Sequence, residues 1–234
     1  MIVFGVHTLS YVLTINIERK HVIKLKLLYT AIIVSSLSAQ DMNYGKYGID
    51  TSNYQAPQGL SVGTLAPDFS GIDQEGNAVQ LSAMVKQNPV VLIFYRGQWC
   101  PVCNRYLSAF QDSLVLLENT GTQVIAITPE TSENIKKTIF KTHLTIPVLA
   151  DTTNKIIKDY KVFFDVTAQY ADKIRNNLNT SIANNNNQDR PTLPIPATYI
   201  INKDGQISWR QFDINYKKRA SVKSILAHLK TLTD

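Results

Sequence analysis

Cysteine occurs at only two of the 234 positions, Cys100 and Cys103, and histidine at only four. Two cysteines exclude a scaffold stapled by several disulfides. A zinc site built on the pair needs two further ligands, and His143 and His228 stand alone without H-x-x-x-H spacing. No metal and no cofactor is therefore expected, and both histidines read as surface residues on helices. A large charge excess is missing too. Arg19, Lys20, Lys24 and Lys26 against Glu18 give residues 1–40 a net +3, half of the chain's total of +6. The remainder carries 20 basic and 17 acidic side chains, a nearly balanced surface that points to no nucleic acid. Residues 27–37 are apolar, but at about eleven residues the run is short of the roughly 20 needed to span a bilayer.

What is present begins with an address. The basic residues 19–26, the apolar stretch and the small-residue exit Ser36-Leu37-Ser38-Ala39 read as a secretory signal over residues 1–40. Residues 1–17 are also mostly apolar, which places the expected start downstream of Met1; the rival reading is an uncleaved N-terminal membrane anchor. Either way the folded part is expected outside the cytoplasm, periplasmic or extracellular. Residues 41–58, rich in Tyr, Asn, Gly and Gln, read as a linker, and residues 59–234 as one domain.

The two cysteines form one motif, Trp99-Cys100-Pro101-Val102-Cys103. It lies between the apolar run 90–95 and a helical face made by Cys103, Leu107, Phe110, Leu114 and Leu117. A C-x-x-C where a strand hands over to a helix is the layout of a redox-active dithiol. A thiolate at a helix N-terminus meets unpaired N–H groups and the positive end of the dipole, which lower its pKa. Cys100, at the helix start and expected to be the more exposed, is the candidate attacking thiolate for disulfide exchange, with Cys103 as its resolving partner. In a peroxide reaction either sulfur is eligible. A structural disulfide is the bland alternative, yet a bridge over two residues closes too small a loop to stabilise much. Pro101 suits the first helical turn. Arg96 is either a thiolate-stabilising or peroxide-positioning group or a solvated charge. Trp99 either shields the dithiol or is simply core.

Along the rest of the domain, a hairpin turns at residues 73–76 and a small helix starts at Leu81-Ser82. Gly121 closes the helix after the dithiol, and residues 123–128 make a second apolar strand. Further helices are expected at 132–143, 153–161 and 166–175, and an extended link at 146–149. The asparagine-rich stretch 176–188 has no evident apolar face and reads as a mobile surface loop. A second hairpin turns at 202–205, and a last helix aligns Val222, Ile225, Leu226, Leu229 and Leu232. The alternation implies an α/β domain with a partly parallel sheet.

Four segments carry a family resemblance. Gly63-x-x-Ala66-Pro67-Asp68-Phe69, the run from Phe94 through Arg96-Gly97-Gln98-Trp99-Cys100-Pro101-Val102-Cys103, Val124-Ile125-Ala126-Ile127-Thr128-Pro129-Glu130, and Leu193-Pro194-Ile195-Pro196-Ala197-Thr198-Tyr199 stand in order. They resemble the alkyl-hydroperoxide-reductase/thiol-specific-antioxidant, or peroxiredoxin-like, branch of the thioredoxin-like superfamily. The resemblance implies a central mixed sheet flanked by helices, with an N-terminal hairpin extension. It also places Pro196 where thioredoxins hold a cis-proline that positions substrate. The branch's P-x-x-x-[ST]-x-x-C pattern puts the peroxide-attacking sulfur on Cys103, the hydroxyl position on Cys100 and the proline position on Arg96. Its partner arginine enters near the penultimate strand, where this chain has Pro196.

The function implied is a thiol-dependent peroxidase cycling Cys100 and Cys103 between dithiol and disulfide, with a thioredoxin-type donor and a peroxide substrate. The alternatives are an oxidoreductase acting on protein disulfides and a non-catalytic binding module of the same fold. Thioredoxins keep a buried carboxylate in the strand before the dithiol. Here that strand is apolar, so protons are expected to move through water, the other thiol or a carboxylate from elsewhere, Asp68 being one candidate.

Overall fold

The computed structural model describes residues 44–52 and 55–232. The segment read as a signal or anchor lies outside them. In chain order the elements are β1 (Ser70–Ile72), β2 (Ala78–Gln80), α1 (Leu81–Gln87), β3 (Val90–Phe94), α2 (Pro101–Gln111), α3 (Leu114–Glu118), β4 (Gln123–Thr128), α4 (Ser132–Thr142) and β5 (Val148–Ala150). They continue with α5 (Lys155–Asp159), β6 (Phe163–Asp165), α6 (Ala168–Leu178), α7 (Ile182–Asn186), β7 (Thr192–Pro194), β8 (Thr198–Ile201), β9 (Ile207–Gln211) and α8 (Val222–Lys230). The central sheet is mixed, in the order β5-β4-β3-β8-β9. β3, β4 and β5 run parallel, while β8 is antiparallel to both β3 and β9.

β3 forms because its five side chains, Val90 to Phe94, are all apolar and four are β-branched or aromatic. A strand with neighbours on both edges and elements on both faces has no wet side, and every β3 residue is fully buried. Its parallel partner β4 pairs in the register Leu92 with Ile125 and Phe94 with Ile127. That pairing requires a crossover, which α2 and α3 supply. The parallel register also brings the C-terminal ends of β3 and β4 side by side, where open α/β sheets make their sites.

The N-terminal hairpin β1–β2 guards the β5 edge. Gln74 at its turn donates to the Ile146 carbonyl at 3.3 Å and accepts from the Val148 N–H at 2.8 Å, occupying backbone groups that an edge would leave open. Asp68 lies on the surface and accepts from the Ser82 N–H at 2.8 Å, doing the capping work at the start of α1.

Four expectations change. The helix after the dithiol is two helices, since the backbone turns at Asp112 and Ser113 between α2 and α3. Part of the presumed linker is tied to the domain: Tyr44–Tyr47 make a 3-10 turn, and Ile49, 2% exposed, pairs with Val166. The asparagine-rich stretch is a built element rather than a loose loop. Ile182 anchors α7 in the core, and its asparagines satisfy local backbone, Asn186 Nδ2 donating to the Thr192 carbonyl at 2.9 Å. Amide side chains here replace an apolar face by hydrogen bonds. Finally, no cis peptide bond occurs among the described residues, so the Ile195–Pro196 bond is trans, and the Ala197 N–H closes a tight turn onto the Ile195 carbonyl. His143 is an exposed helix cap with left-handed backbone, and His228 is half-buried and stacked on Trp209.

Candidate active site

Past β3, the Tyr95 N–H still bonds the Ile127 carbonyl, and the chain then leaves the sheet through Arg96-Gly97-Gln98-Trp99. The turn closes when the Cys100 N–H reaches the Gly97 carbonyl at 3.1 Å. Cys100 is the N-cap of α2, its sulfur accepting from the Cys103 N–H at 3.3 Å, and Pro101 fills the first helical position. Both cysteines are free and both are fully buried, so the greater exposure expected for Cys100 is not found.

Two guanidinium groups converge on the pair. Arg96, 3% exposed, donates from Nη2 to the Cys100 sulfur at 3.0 Å and from Nη1 to the Tyr170 hydroxyl at 2.7 Å. Its Cζ lies 3.7 Å from the centre of the Tyr216 ring and 5.2 Å from the centre of the Trp99 ring, cation–π contacts that help hold it in place. Arg219 donates from Nη2 to the Cys103 sulfur at 3.3 Å and is held by the Tyr216 carbonyl, 2.6 Å from its Nε. The segment between β9 and α8 thus delivers both Tyr216 and Arg219.

These charges decide which thiol ionises first. Desolvation pushes Cys103 up, but the hydrogen bond from Cys100 and the charges of Arg219 and Arg96 outweigh it and hold Cys103 well below the ordinary thiol value. Burial, its hydrogen bond to Cys103 and the Cys103 charge keep Cys100 well above, despite Arg96. The two ionisations are linked, and the surrounding cations favour the first at Cys103.

Of the residues expected at the site, Cys100, Cys103, Arg96 and Trp99 come together. Pro196 lies at the same end of the sheet, two residues before Thr198, which pairs with Ile93. Asp68 is a surface cap. Reading the sequence missed Arg219, 116 residues from Cys103, because no local pattern marks it within Lys217-Lys218-Arg219. It also missed Tyr170, Tyr216 and Glu130. Glu130 carried a usable signal, a carboxylate just past the end of a parallel strand beside the dithiol strand. Among the described residues no group of three His, Cys, Asp or Glu side chains is placed to hold a metal ion.

A model of the AhpC/TSA family matches residues 62–210. The chain belongs to the AhpC/TSA family. Relatives include chloroplastic peroxiredoxin Q of Sedum lineare, 30% identical over 148 residues, covering 63% of this chain and 67% of that one. Chloroplastic peroxiredoxin Q of Arabidopsis thaliana is 38% identical over 148 residues, 63% and 57% of the two chains. A putative chloroplastic peroxiredoxin Q of Oryza sativa subsp. indica is 30% identical over 150 residues, and the match spans only 58% of its length. Among solved structures, peroxidoxin BcpB of Mycobacterium tuberculosis superposes with a TM-score of 0.57 at 18% identity, covering 74% of this chain and 98% of that one. A putative thiol:disulfide interchange protein DsbE from Chlorobium tepidum gives 0.51 at 20%, covering 73% and 99%. Those two likenesses establish the thioredoxin-like fold of this AhpC/TSA chain.

Proposed function

We propose that this AhpC/TSA chain is a thiol-dependent peroxidase. The observation that carries the reading is the pair of guanidinium groups, 3.0 and 3.3 Å from two sulfurs sealed from solvent. A thiolate is the nucleophile in such chemistry, and fixed cations in a dry site stabilise both it and the alkoxide that leaves as the O–O bond breaks. Cys103 is the attacking sulfur. Arg219 takes the place of the arginine that the family brings from the penultimate strand, arriving instead from the segment before α8.

The cycle starts with the Cys103 thiolate attacking the terminal oxygen of a hydroperoxide, giving Cys103 sulfenic acid and an alcohol or water. The Cys100 thiol then condenses with the sulfenic sulfur, one turn away, releasing water and closing the disulfide. A dithiol donor of thioredoxin type restores both thiols. The buried sulfurs favour a small peroxide over a folded protein disulfide as oxidant. Export through residues 1–40 belongs to the same proposal, and sequencing the mature N-terminus tests it.

Stopped-flow mixing of the reduced full chain with stoichiometric hydrogen peroxide tests the activity. Thiol loss much faster than that of a free cysteine is expected in wild type and in Cys100→Ser, and not in Cys103→Ser. Wild-type oxidation at the rate of a free thiol defeats the proposal. Fast reduction of insulin-type disulfides by that same sample then establishes the protein-disulfide alternative.

A further inference from the structure

Glu130 is a carboxyl that the peroxidase cycle leaves unused. It lies just past β4, beside the turn that leads from β3 to the dithiol, and it is fully buried. Oε2 accepts from the Gln98 N–H at 2.7 Å, while Oε1 has no hydrogen-bond partner among the described residues. The fit is close: a Cβ on Gly97, whose φ is +148°, would stand 2.5 Å from the Glu130 carboxyl carbon and 2.8 Å from the Trp99 indole nitrogen. Gln98 links the carboxyl to the dithiol helix, since its carbonyl accepts from Asn104 Nδ2 at 2.7 Å, one residue beyond Cys103.

The titratable and charged groups facing Glu130 come from three elements. Lys137 and Lys141 belong to α4, Cys103 to α2, and Tyr95 follows β3. Lys141 Nζ is itself 2.6 Å from Gln98 Oε1. Burial, with a smaller push from the Cys103 charge, outweighs the Gln98 N–H bond and the two lysines and pushes the carboxyl up to about 8. A charge on Cys103 and a charge on Glu130 thus oppose each other inside the same buried site.

We propose that Glu130 stores the proton of the redox cycle, protonated while Cys103 is a thiolate and ionised once that sulfur is oxidised. The inference rests on the dithiol cycle above. Oxidation removes the sulfur's charge, which lowers the cost of charging the neighbouring carboxyl. Thiolate, hydroperoxide and Glu130 carboxylic acid become sulfenic acid, alcohol and Glu130 carboxylate, so the alkoxide's proton is matched by the one Glu130 releases. Condensation of the Cys100 thiol with the sulfenic acid expels water and changes no charge. A dithiol donor then supplies two hydrogens, one to the Cys100 thiol and one to Glu130, and leaves as its own disulfide with Cys103 again a thiolate. No net proton is exchanged with the medium in either half of the cycle.

The test is the pH slope of the redox equilibrium. The full-length chain is equilibrated with dithiothreitol buffers between about pH 6 and 7.5, where the reagent's thiols stay protonated, and the reduced fraction is counted by alkylation and mass. Each uncompensated proton changes the equilibrium about tenfold per pH unit. The wild-type ratio is expected to be flat. In Glu130→Gln the reduced form gains about tenfold per unit as pH rises. A tenfold-per-unit slope in wild type, or a flat profile in the variant, overturns the inference, and the wild-type slope suffices if the variant does not fold. A chain that forms no Cys100–Cys103 disulfide at any ratio defeats the dithiol reading and this inference with it. A disulfide with the wrong slope defeats this inference alone.

Discussion

Arg219→Leu is the most informative perturbation, because Arg219 reaches Cys103 only through the tertiary fold. Its Nη2 stands 3.3 Å from the sulfur. Unit charges at about 4 Å interact by about 4 kcal/mol at the effective dielectric of about 20 that suits protein sites. Arg219 is partly exposed, and solvent screens part of that. A charge-assisted hydrogen bond contributes about 1.5–3 kcal/mol net, so its loss slows thiolate attack about 10- to 100-fold at neutral pH. The assay is single-turnover oxidation by hydrogen peroxide, followed across pH. Leucine should both slow the reaction and move its rise to higher pH, because the thiolate then loses its partner cation. Arg219→Lys should recover part of the pH shift but less of the rate, since a point charge lacks the two-pronged geometry. Unchanged rate and pH profile in the leucine variant refute the assignment of the second cation.

Three further outcomes follow from packing and linkage. Glu130 has a folded pKa raised above its unfolded value, so its protonation stabilises the fold at low pH, and that contribution is lost as pH rises from about 4.5 to about 8. The urea midpoint of wild type relative to Glu130→Gln should therefore fall across that window; a constant difference contradicts the buried acid. Gly97→Ala meets the Glu130 carboxyl at 2.5 Å in a backbone conformation that alanine rarely adopts, and should cost about 1–3 kcal/mol in chemical denaturation. Ile182→Ala should destabilise by about 2–5 kcal/mol if α7 is anchored as described, whereas a loose asparagine loop would tolerate it within about 0.5 kcal/mol.

Much of the frame was legible before any coordinates. The apolar run at 90–95 could only be a strand covered on both faces, and the period of Cys103, Leu107 and Phe110 only a helix packed on it. The hairpins at 73–76 and 202–205 announced themselves through short-range turn chemistry, Gly205 taking φ +77° and Asn202 capping its own turn. Periodicity did not reveal the break between α2 and α3, because Leu114 and Leu117 stay buried on either reading. Composition misled at α7, where the buried Asn186 amide donates to the Thr192 carbonyl, a bond that a hydropathy pattern does not register.

Chain order alone established the chemistry available: two sulfurs one helical turn apart at the end of a buried strand. That information is local, carried by spacing and by which faces are apolar. Folding decided how the chemistry is set. It buried both sulfurs, brought a second guanidinium to Cys103 from 116 residues away, and enclosed a carboxyl beside them. Charges act through space and through the dielectric around them, and neither the distance nor the dielectric is written in the linear order of residues.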